Sequence, residues 1–324
     1  MTWLITGGAG YIGAHVVRET LKSGRNVIIL DDMTTGIASR IPEGVALEQV
    51  TLVNQTEVDR VFDSNKISGV LHLAARKQVG ESVEKPLYYW EENVTAFGHL
   101  LNAMKRTGVK NLVFSSSAAV YGEPTLAPGE LVNEHTPCLP INPYGATKLA
   151  SEWMSAAMAT SDDFHVAALR YFNVAGAGSP DLGDQFILNL VPIVFNELTQ
   201  GRQPKVFGDD YPTPDGSCIR DYVHVQDLAE AHVAAMDYVE QPIAPFQAIN
   251  IGTGKGSSVF EVLDVVREVT GLPVEPIHAP RRAGDPSSLA ASVAKAQDVL
   301  KWTSKYELHD IIESAWAAWQ QREN

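Results

Sequence analysis

The tightest constraint in this sequence is the turn Thr6-Gly7-Gly8-Ala9-Gly10-Tyr11-Ile12-Gly13, set between an apolar run, Trp3–Thr6, and a helical pattern, Tyr11–Ser23. Glycine carries no side chain, so such a turn can take left-handed backbone and let a ligand approach the main chain. Gly8, Gly10 and Gly13 form Gly-x-Gly-x-x-Gly, and Gly7, Gly10 and Gly13 give a second spacing. A helix that starts at once behind the turn aims unpaired N–H groups and a positive dipole end at it, which suits a pyrophosphate. The bare motif also serves any tight turn. Here a second apolar run, Asn26–Asp31, completes a β-α-β unit and ends on Asp31, a carboxylate placed for ribose hydroxyls. The combination points to a dinucleotide. Asp31 and Asp32 repel a 2′-phosphate, and the nearest basic residue downstream is Arg40, so NAD is expected over NADP.

The rhythm continues. Thr56–Asn65, Pro86–Thr107 and Tyr144–Thr160 read as helices, and Gly69–Leu73, Val109–Ser115 and Val166–Tyr171 as strands. Repeated βα units predict an α/β fold, a doubly wound parallel sheet with helices on both faces. After Asn173 the pattern loosens, with loops at Ser179–Gly183 and Gly208–Gly216. Asp227–Val239, Gly256–Gly271 and His309–Gln321 read as helices and Ala248–Ile251 as a strand. The expected division is a dinucleotide domain at 1–172, to which 222–252 returns, and a smaller C-terminal region at 173–324 mainly for substrate. Ligands of open α/β sheets bind over the carboxyl ends of the strands.

Charge narrows the partners. With 39 acidic and 25 basic residues the net charge is -14, which disfavours nucleic acid and anionic membrane surfaces. An anionic substrate then needs a local cluster of Arg and Lys. No segment approaches the ~18 apolar residues that span a bilayer, and a first strand at Trp3 leaves no room for a signal peptide. Cys138 and Cys218 form no metal-ligand spacing, so no metal and a reducing, cytoplasmic setting are expected. His72, inside an apolar strand, and His224 read as structural residues.

Three residues carry the chemistry. Ser117 lies just past the strand Val109–Phe114, and Tyr144 and Lys148 stand one turn apart on one helix face. A free phenol titrates near pH ~10 and is a poor base at neutrality. A nearby ammonium and an oxidised nicotinamide lower that value. Tyr144 could then take a proton from a hydroxyl as hydride leaves the same carbon, with Ser117 holding the oxygen. A bare Tyr-x-x-x-Lys is more often a surface helix; the preceding Ser cluster and the glycine turn reverse those odds.

These motifs resemble the extended short-chain dehydrogenase/reductases, with their Rossmann-type sheet, and within them the UDP-glucose 4-epimerase (UDP-galactose 4-epimerase) family. More specific stretches carry the likeness: Val79-Gly80-Glu81-Ser82-Val83, Arg170-Tyr171-Phe172-Asn173, Phe207-Gly208-Asp209-Asp210-Tyr211-Pro212-Thr213, Arg220-Asp221-Tyr222-Val223-His224-Val225, and Ala279-Pro280-Arg281-Arg282-Ala283-Gly284-Asp285. The resemblance implies that Gly7, Gly10, Tyr11, Ile12 and Gly13 wrap the NAD pyrophosphate and that Asp31 binds the adenosine ribose. It implies that Leu73, Ala74, Ala75, Lys77, Asn93, Ser115 and Phe172, with Tyr144 and Lys148, face the cofactor. It places Asn173, Asn189, Leu190 and Phe207 on the UDP portion of a UDP-sugar, Arg220 and Arg282 on its diphosphate, and Asp285 on its ribose. It also implies a homodimer built on the helices Pro86–Thr107 and Tyr144–Thr160, whose surplus apolar residues are Tyr88, Tyr89, Trp90, Leu100, Leu101, Trp153 and Met154.

Two positions depart from the family pattern. Thr51 stands where an Asp usually meets the adenine amine. Leu289, four residues after Asp285, stands where a bulky aromatic usually excludes N-acetylated sugars. The implied reaction is C4 oxidation, rotation of a 4-keto sugar and re-reduction, interconverting UDP-glucose and UDP-galactose. The competing readings are a 4,6-dehydratase, a 4-epimerase of another UDP-sugar, and a non-catalytic NAD-sensing protein. A dehydratase usually carries an Asp-Glu pair after the serine; Ala118 and Ala119 stand there instead.

Overall fold

The computed structural model describes residues 1–127, 129–241, 246–282 and 285–322, so Ala283 and Gly284 of the double-arginine stretch lie outside the described residues. The first half runs β1 (Thr2–Thr6), α1 (Tyr11–Lys22), β2 (Asn26–Leu30), β3 (Ala46–Glu48), α2 (Gln55–Ser64) and β4 (Gly69–His72). Then come α3 (Val79–Glu84), α4 (Pro86–Trp90), α5 (Ala96–Thr107), β5 (Asn111–Ser117), α6 (Pro143–Asp162) and β6 (His165–Tyr171). The predicted helix Pro86–Thr107 is therefore interrupted: a π turn, Glu91–Thr95, joins α4 to α5. Such a turn re-aims the side chains it carries, here Glu92 and Asn93.

The second half runs β7 (Asn173–Ala175), α7 (Leu190–Thr199), β8 (Lys205–Phe207), β9 (Ile219–His224), α8 (Val225–Val239) and β10 (Phe246–Ile251). It ends with β11 (Gly256–Ser258), α9 (Val259–Thr270), β12 (Ile277–Ala279), β13 (Ser288–Leu289) and α10 (Leu308–Arg322). The helix expected from Gly256 begins at Val259, because Gly256–Ser258 pairs antiparallel with β9. Ser258 then caps α9 in a reciprocal capping box with Glu261.

Seven strands form the central sheet in the order β10-β6-β5-β4-β1-β2-β3, and every pairing is parallel. This is the doubly wound α/β arrangement that the alternating pattern predicts. Both faces are covered, so neighbours in a strand feed opposite cores: Trp3 and Ile5 pack with α8 residues such as Leu228 and Met236, while Leu4 packs with Phe97, Leu100 and Phe114. Within 222–252, β10 pairs with β6 and α8 packs on α1, whereas Tyr222–His224 belongs to β9 in a separate small sheet. A third core, among α7, α9 and α10, holds the rest of the second half together around Phe195, Val262, Ile311 and Trp319. No helix among the described residues is long and apolar enough to cross a membrane.

Candidate active site

The sheet order dictates where a ligand can lie. Strand β1 has β2 on one side and β4 on the other, so the chain reverses direction across the sheet there and opens a crevice at the carboxyl ends. A cleft of about 700 Å³ occupies that place. The segments after β2 and β3 line one end and those after β5 and β6 the other, with the glycine turn between them.

The turn is built by close approaches. Gly7 is left-handed, with φ +72, and a Cβ there would come within 2.8 Å of the Ala74 nitrogen. A Cβ on Gly13 would lie 2.0 Å from the Gly7 oxygen, so α1 can start this near the turn only without a side chain. Gly10 differs: its Cβ would meet only the Gly7 oxygen, at 3.3 Å, and otherwise open cleft. Gly10 is also the N-cap of α1 and supplies no side-chain cap, which leaves the helix N-terminus for a ligand. An open cradle on an uncapped helix end suits a pyrophosphate. The Tyr11 hydroxyl donates to the Gly176 oxygen at 2.6 Å.

Asp31 is nearly buried at the end of β2. It accepts the Ala9 N–H at 3.0 Å and the Met33 N–H at 2.9 Å. Burial pushes its carboxyl above the ordinary value, and those two N–H groups pull it back. The basic group beside this carboxylate pair is not Arg40. Arg40 is buried elsewhere and bonds the Gly183 oxygen. Arg76, in the segment after β4, instead reaches Asp32 Oδ2 at 2.9 Å. Sequence spacing gives no hint of this contact; only the β2-β1-β4 order brings the two residues together.

At the other end stand Ser117, Tyr144 and Lys148. Asn142 caps α6 through the Gly145 N–H, with Pro143 in the first turn. Gly145 lets this helix end sit directly on the Ala118–Tyr121 turn, whose own cap is Ser117. The Ser117 hydroxyl accepts the Ala119 N–H at 3.2 Å and lines the cleft with Tyr144. Burial raises the Tyr144 phenol above its ordinary range, and the nearby Ser117 hydroxyl opposes the rise. Burial also lowers Lys148 to about 7, against the pull of Glu152. The Lys148 ammonium donates to the Ser115 oxygen at 2.7 Å and lies over the Phe114 ring. Among the protein's own groups burial wins at Tyr144, and the expected lowering by the lysine together with an oxidised nicotinamide would need the second of the two. An oxidised nicotinamide would have to supply further positive charge.

The cleft gathers most of the expected residues. Gly7, Gly10, Tyr11, Ile12, Gly13 and Asp31 line its middle and one end, and Leu73, Ala74, Ala75 and Lys77 its floor. Ser117, Tyr144, Lys148 and Phe172 line the other end, and Asn173, Asn189, Leu190, Arg220 and Asp285 the outer wall. Thr51 and Leu289 also line it.

Four expected residues, Asn93, Ser115, Phe207 and Arg282, are not among those that line it. Asn93 spends its amide on the Arg76 main chain (2.8 and 3.0 Å) and on Thr147 (3.1 Å). Ser115 is fully buried, with its hydroxyl on Tyr171. The Arg282 guanidinium carbon sits 3.8 Å from the centre of the Phe207 ring, and the two stack beside the cleft. Arg220 is tied to the Pro286 oxygen at 2.8 Å and to Asp285 at 3.4 Å.

Both histidines set aside on sequence are structural. His72 meets Thr6 Oγ1 at 2.8 Å and stacks on both Phe97 and Phe114, which touch each other as well. His224 caps α8 through the Gln226 N–H.

The model of the NAD dependent epimerase/dehydratase family matches residues 3–252. The chain belongs to that family. Among epimerase/dehydratase relatives, it is 44% identical over 320 residues to the UDP-glucose 4-epimerase of Corynebacterium glutamicum, covering 98% of this chain and 95% of that one. A crystal structure of UDP-glucose 4-epimerase superposes with a TM-score of 0.94 at 40% identity, covering 100% of this chain and 99% of the other. The Bifidobacterium longum UDP-glucose 4-epimerase, solved with NAD+ and UDP, superposes with a TM-score of 0.92 at 35% identity, over 100% and 99% of the two chains. Within an epimerase/dehydratase family the first question is whether water is eliminated. Elimination needs an acid and a base beside the serine, and Ala118 and Ala119, both lining the cleft, have no proton to exchange.

Proposed function

We propose that this protein interconverts UDP-glucose and UDP-galactose, with NAD as a cofactor regenerated in each cycle. The observation that carries the reading is the gathering of Ser117, Tyr144 and Lys148 at the end of a cleft whose middle is the glycine turn and whose outer wall holds Arg220 and Asp285. The glycine turn, Asp31 and the Leu73–Lys77 segment would hold NAD, which would supply a hydride acceptor and donor for C4. Tyr144 takes the O4 proton, and Ser117 holds O4 against it. Lys148 steadies the ionised phenol. Arg220, Arg282 and Asp285 hold the nucleotide as a fixed handle, so that the 4-keto sugar can turn about its diphosphate link and receive hydride on the other face. In this reading 1–172 with 222–252 serves NAD, and 173–324 otherwise serves the UDP-sugar.

A second reading, use of N-acetylated UDP-sugars, rests on Leu289. It lines the cleft with a side chain smaller than an aromatic ring. Two further proposals concern setting and assembly. Cys138 and Cys218 are both free, which suits a cytoplasmic protein. Exposed Val83, Leu87, Tyr88, Trp90 and Trp153 on the adjoining α3, α4 and α6 suit a homodimer. Tyr89, Leu100 and Leu101 belong to the interior instead.

The test is chromatography of UDP-galactose and, separately, UDP-N-acetylgalactosamine after incubation with purified protein. UDP-glucose is the product expected from the first. A 4-keto-6-deoxy product, or no conversion, overturns the assignment.

A further inference from the structure

The adenosine end of the cleft contains an arrangement that the proposed reaction does not use. The Arg76 guanidinium lies between two carboxylates from distant elements, Asp32 after β2 and Glu92 on the π turn, with both contacts at 2.9 Å. Its carbon stands 5.7 Å from the centre of the Tyr88 ring. Its main chain is held on both sides by the Asn93 amide, which also reaches Thr147 next to Lys148. The Arg76 side chain is 20% exposed, and Arg76 lines the cleft with Asp31, Asp32, Thr34 and Tyr88. The ion pair spans the crevice, from the loop after β2 to the π turn that follows the helix carrying Tyr88.

We propose that Arg76 is a cofactor-binding residue. In this assignment its guanidinium, locked between Asp32 and Glu92, closes the adenosine end of the NAD site. Planar guanidinium stacks on flat rings and bonds hydroxyls in a fixed geometry that lysine cannot reproduce. The same lock explains why a guanidinium so close to Asp31 does not serve a 2′-phosphate: its Nε and one terminal nitrogen are already held by Glu92 and Asp32, whose charges repel a phosphate. Arg76 therefore favours NAD while bound to Asp32, and would turn to a phosphate once released.

The experiment measures affinities of cofactor-stripped protein by calorimetry, with NAD, ADP-ribose, NADP and UDP as ligands. In Arg76→Leu, which keeps aliphatic bulk, NAD and ADP-ribose should each weaken about ten-fold or more, while UDP stays within two-fold. Asp32→Asn preserves the acceptor for the Thr34 N–H (2.8 Å) and frees one edge of the guanidinium. It should raise the ratio of NADP to NAD affinity about ten-fold, and Asp32→Asn/Arg76→Leu should lose that gain. A purely structural tie would lower the melting temperature and leave every affinity ratio where it was. NAD and ADP-ribose affinities within two-fold of the parent in Arg76→Leu overturn the assignment. If that variant does not fold, an unchanged NADP-to-NAD ratio in Asp32→Asn overturns it.

Discussion

Gly145 lies against Ala119 so closely that a Cβ on the glycine would come within 2.5 Å of the alanine oxygen. The obstacle is main chain, which cannot swing aside as a side-chain tip does. This contact sets the distance from the first turn of α6 to the turn capped by Ser117, and so the meeting of Tyr144 with Ser117. Gly145→Ala should push Tyr144 off its partner while leaving the glycine turn untouched. A displacement of order 1 Å at reacting groups costs roughly 10²-fold in rate. Steady-state kinetics should show that fall in kcat, with NAD affinity by calorimetry unchanged.

Tyr144→Phe keeps the ring and its packing but removes the proton acceptor. General acid–base groups contribute ~10²–10⁴-fold, and kcat for UDP-galactose should fall by that order with circular dichroism and UDP binding preserved. Lys148→Ala acts through the same phenol, so its loss should be greatest near neutrality and shrink as the pH rises. The double variant should fall far short of the product of the two single losses, because the residues work as a unit. Turnover by Tyr144→Phe within a few-fold of the parent would move the base elsewhere.

Acid stability should carry the mark of His72. Burial, with the Lys148 charge adding to it, lowers this ring from 6.5 to about 3. Between those values the unfolded chain binds a proton that the folded chain refuses. The stabilisation is therefore complete above pH 6.5 and lost progressively as the pH falls toward 3. At pH 5 this one group removes ~2 kcal/mol. His15, His224 and His232, each lowered to about 4 chiefly by burial, add to the same trend. Urea unfolding at pH 7 and pH 5 should show a smaller pH loss in His72→Phe than in the parent. An equal loss in both would place the acid sensitivity on other groups.

Trp153 is 66% exposed on α6, beside the exposed Leu87 and Trp90 of α4. If two copies pair through this face, Trp153→Glu should shift the sedimentation coefficient from dimer to monomer at micromolar concentration. A parent that is monomeric under the same conditions removes the dimer from consideration.

The sequence spoke most clearly where a structural demand is local. The glycine turn, the β-α-β alternation and the Tyr-x-x-x-Lys spacing each lie within one or two elements, and the structure gathers their residues in one cleft. It was silent where a role depends on a distant partner. Strands β8 and β12 are three residues each and exist because they pair with one another across a long interval. Arg76 reads as one more basic residue after an apolar strand until sheet order sets it against Asp32. The family resemblance assigns Asn93 to the cofactor; the π turn sends its amide to the Arg76 main chain. Ser115, which the resemblance also turns toward the cofactor, sends its side chain into the interior while its carbonyl accepts from Lys148.

The late arrival of β10 bears on how the chain is made. During synthesis from the N-terminus, β6 is the edge of the sheet until residue 251 has left the ribosome, and α1 lacks the cover that α8 later supplies. An uncovered parallel edge is a template for strands of other chains, so the nascent protein passes through an interval of aggregation risk that the finished fold does not show. Truncation after Phe172 would make that interval permanent. A circular permutant that places 222–252 ahead of Met1 would abolish it, because the edge strand would be waiting when β6 forms.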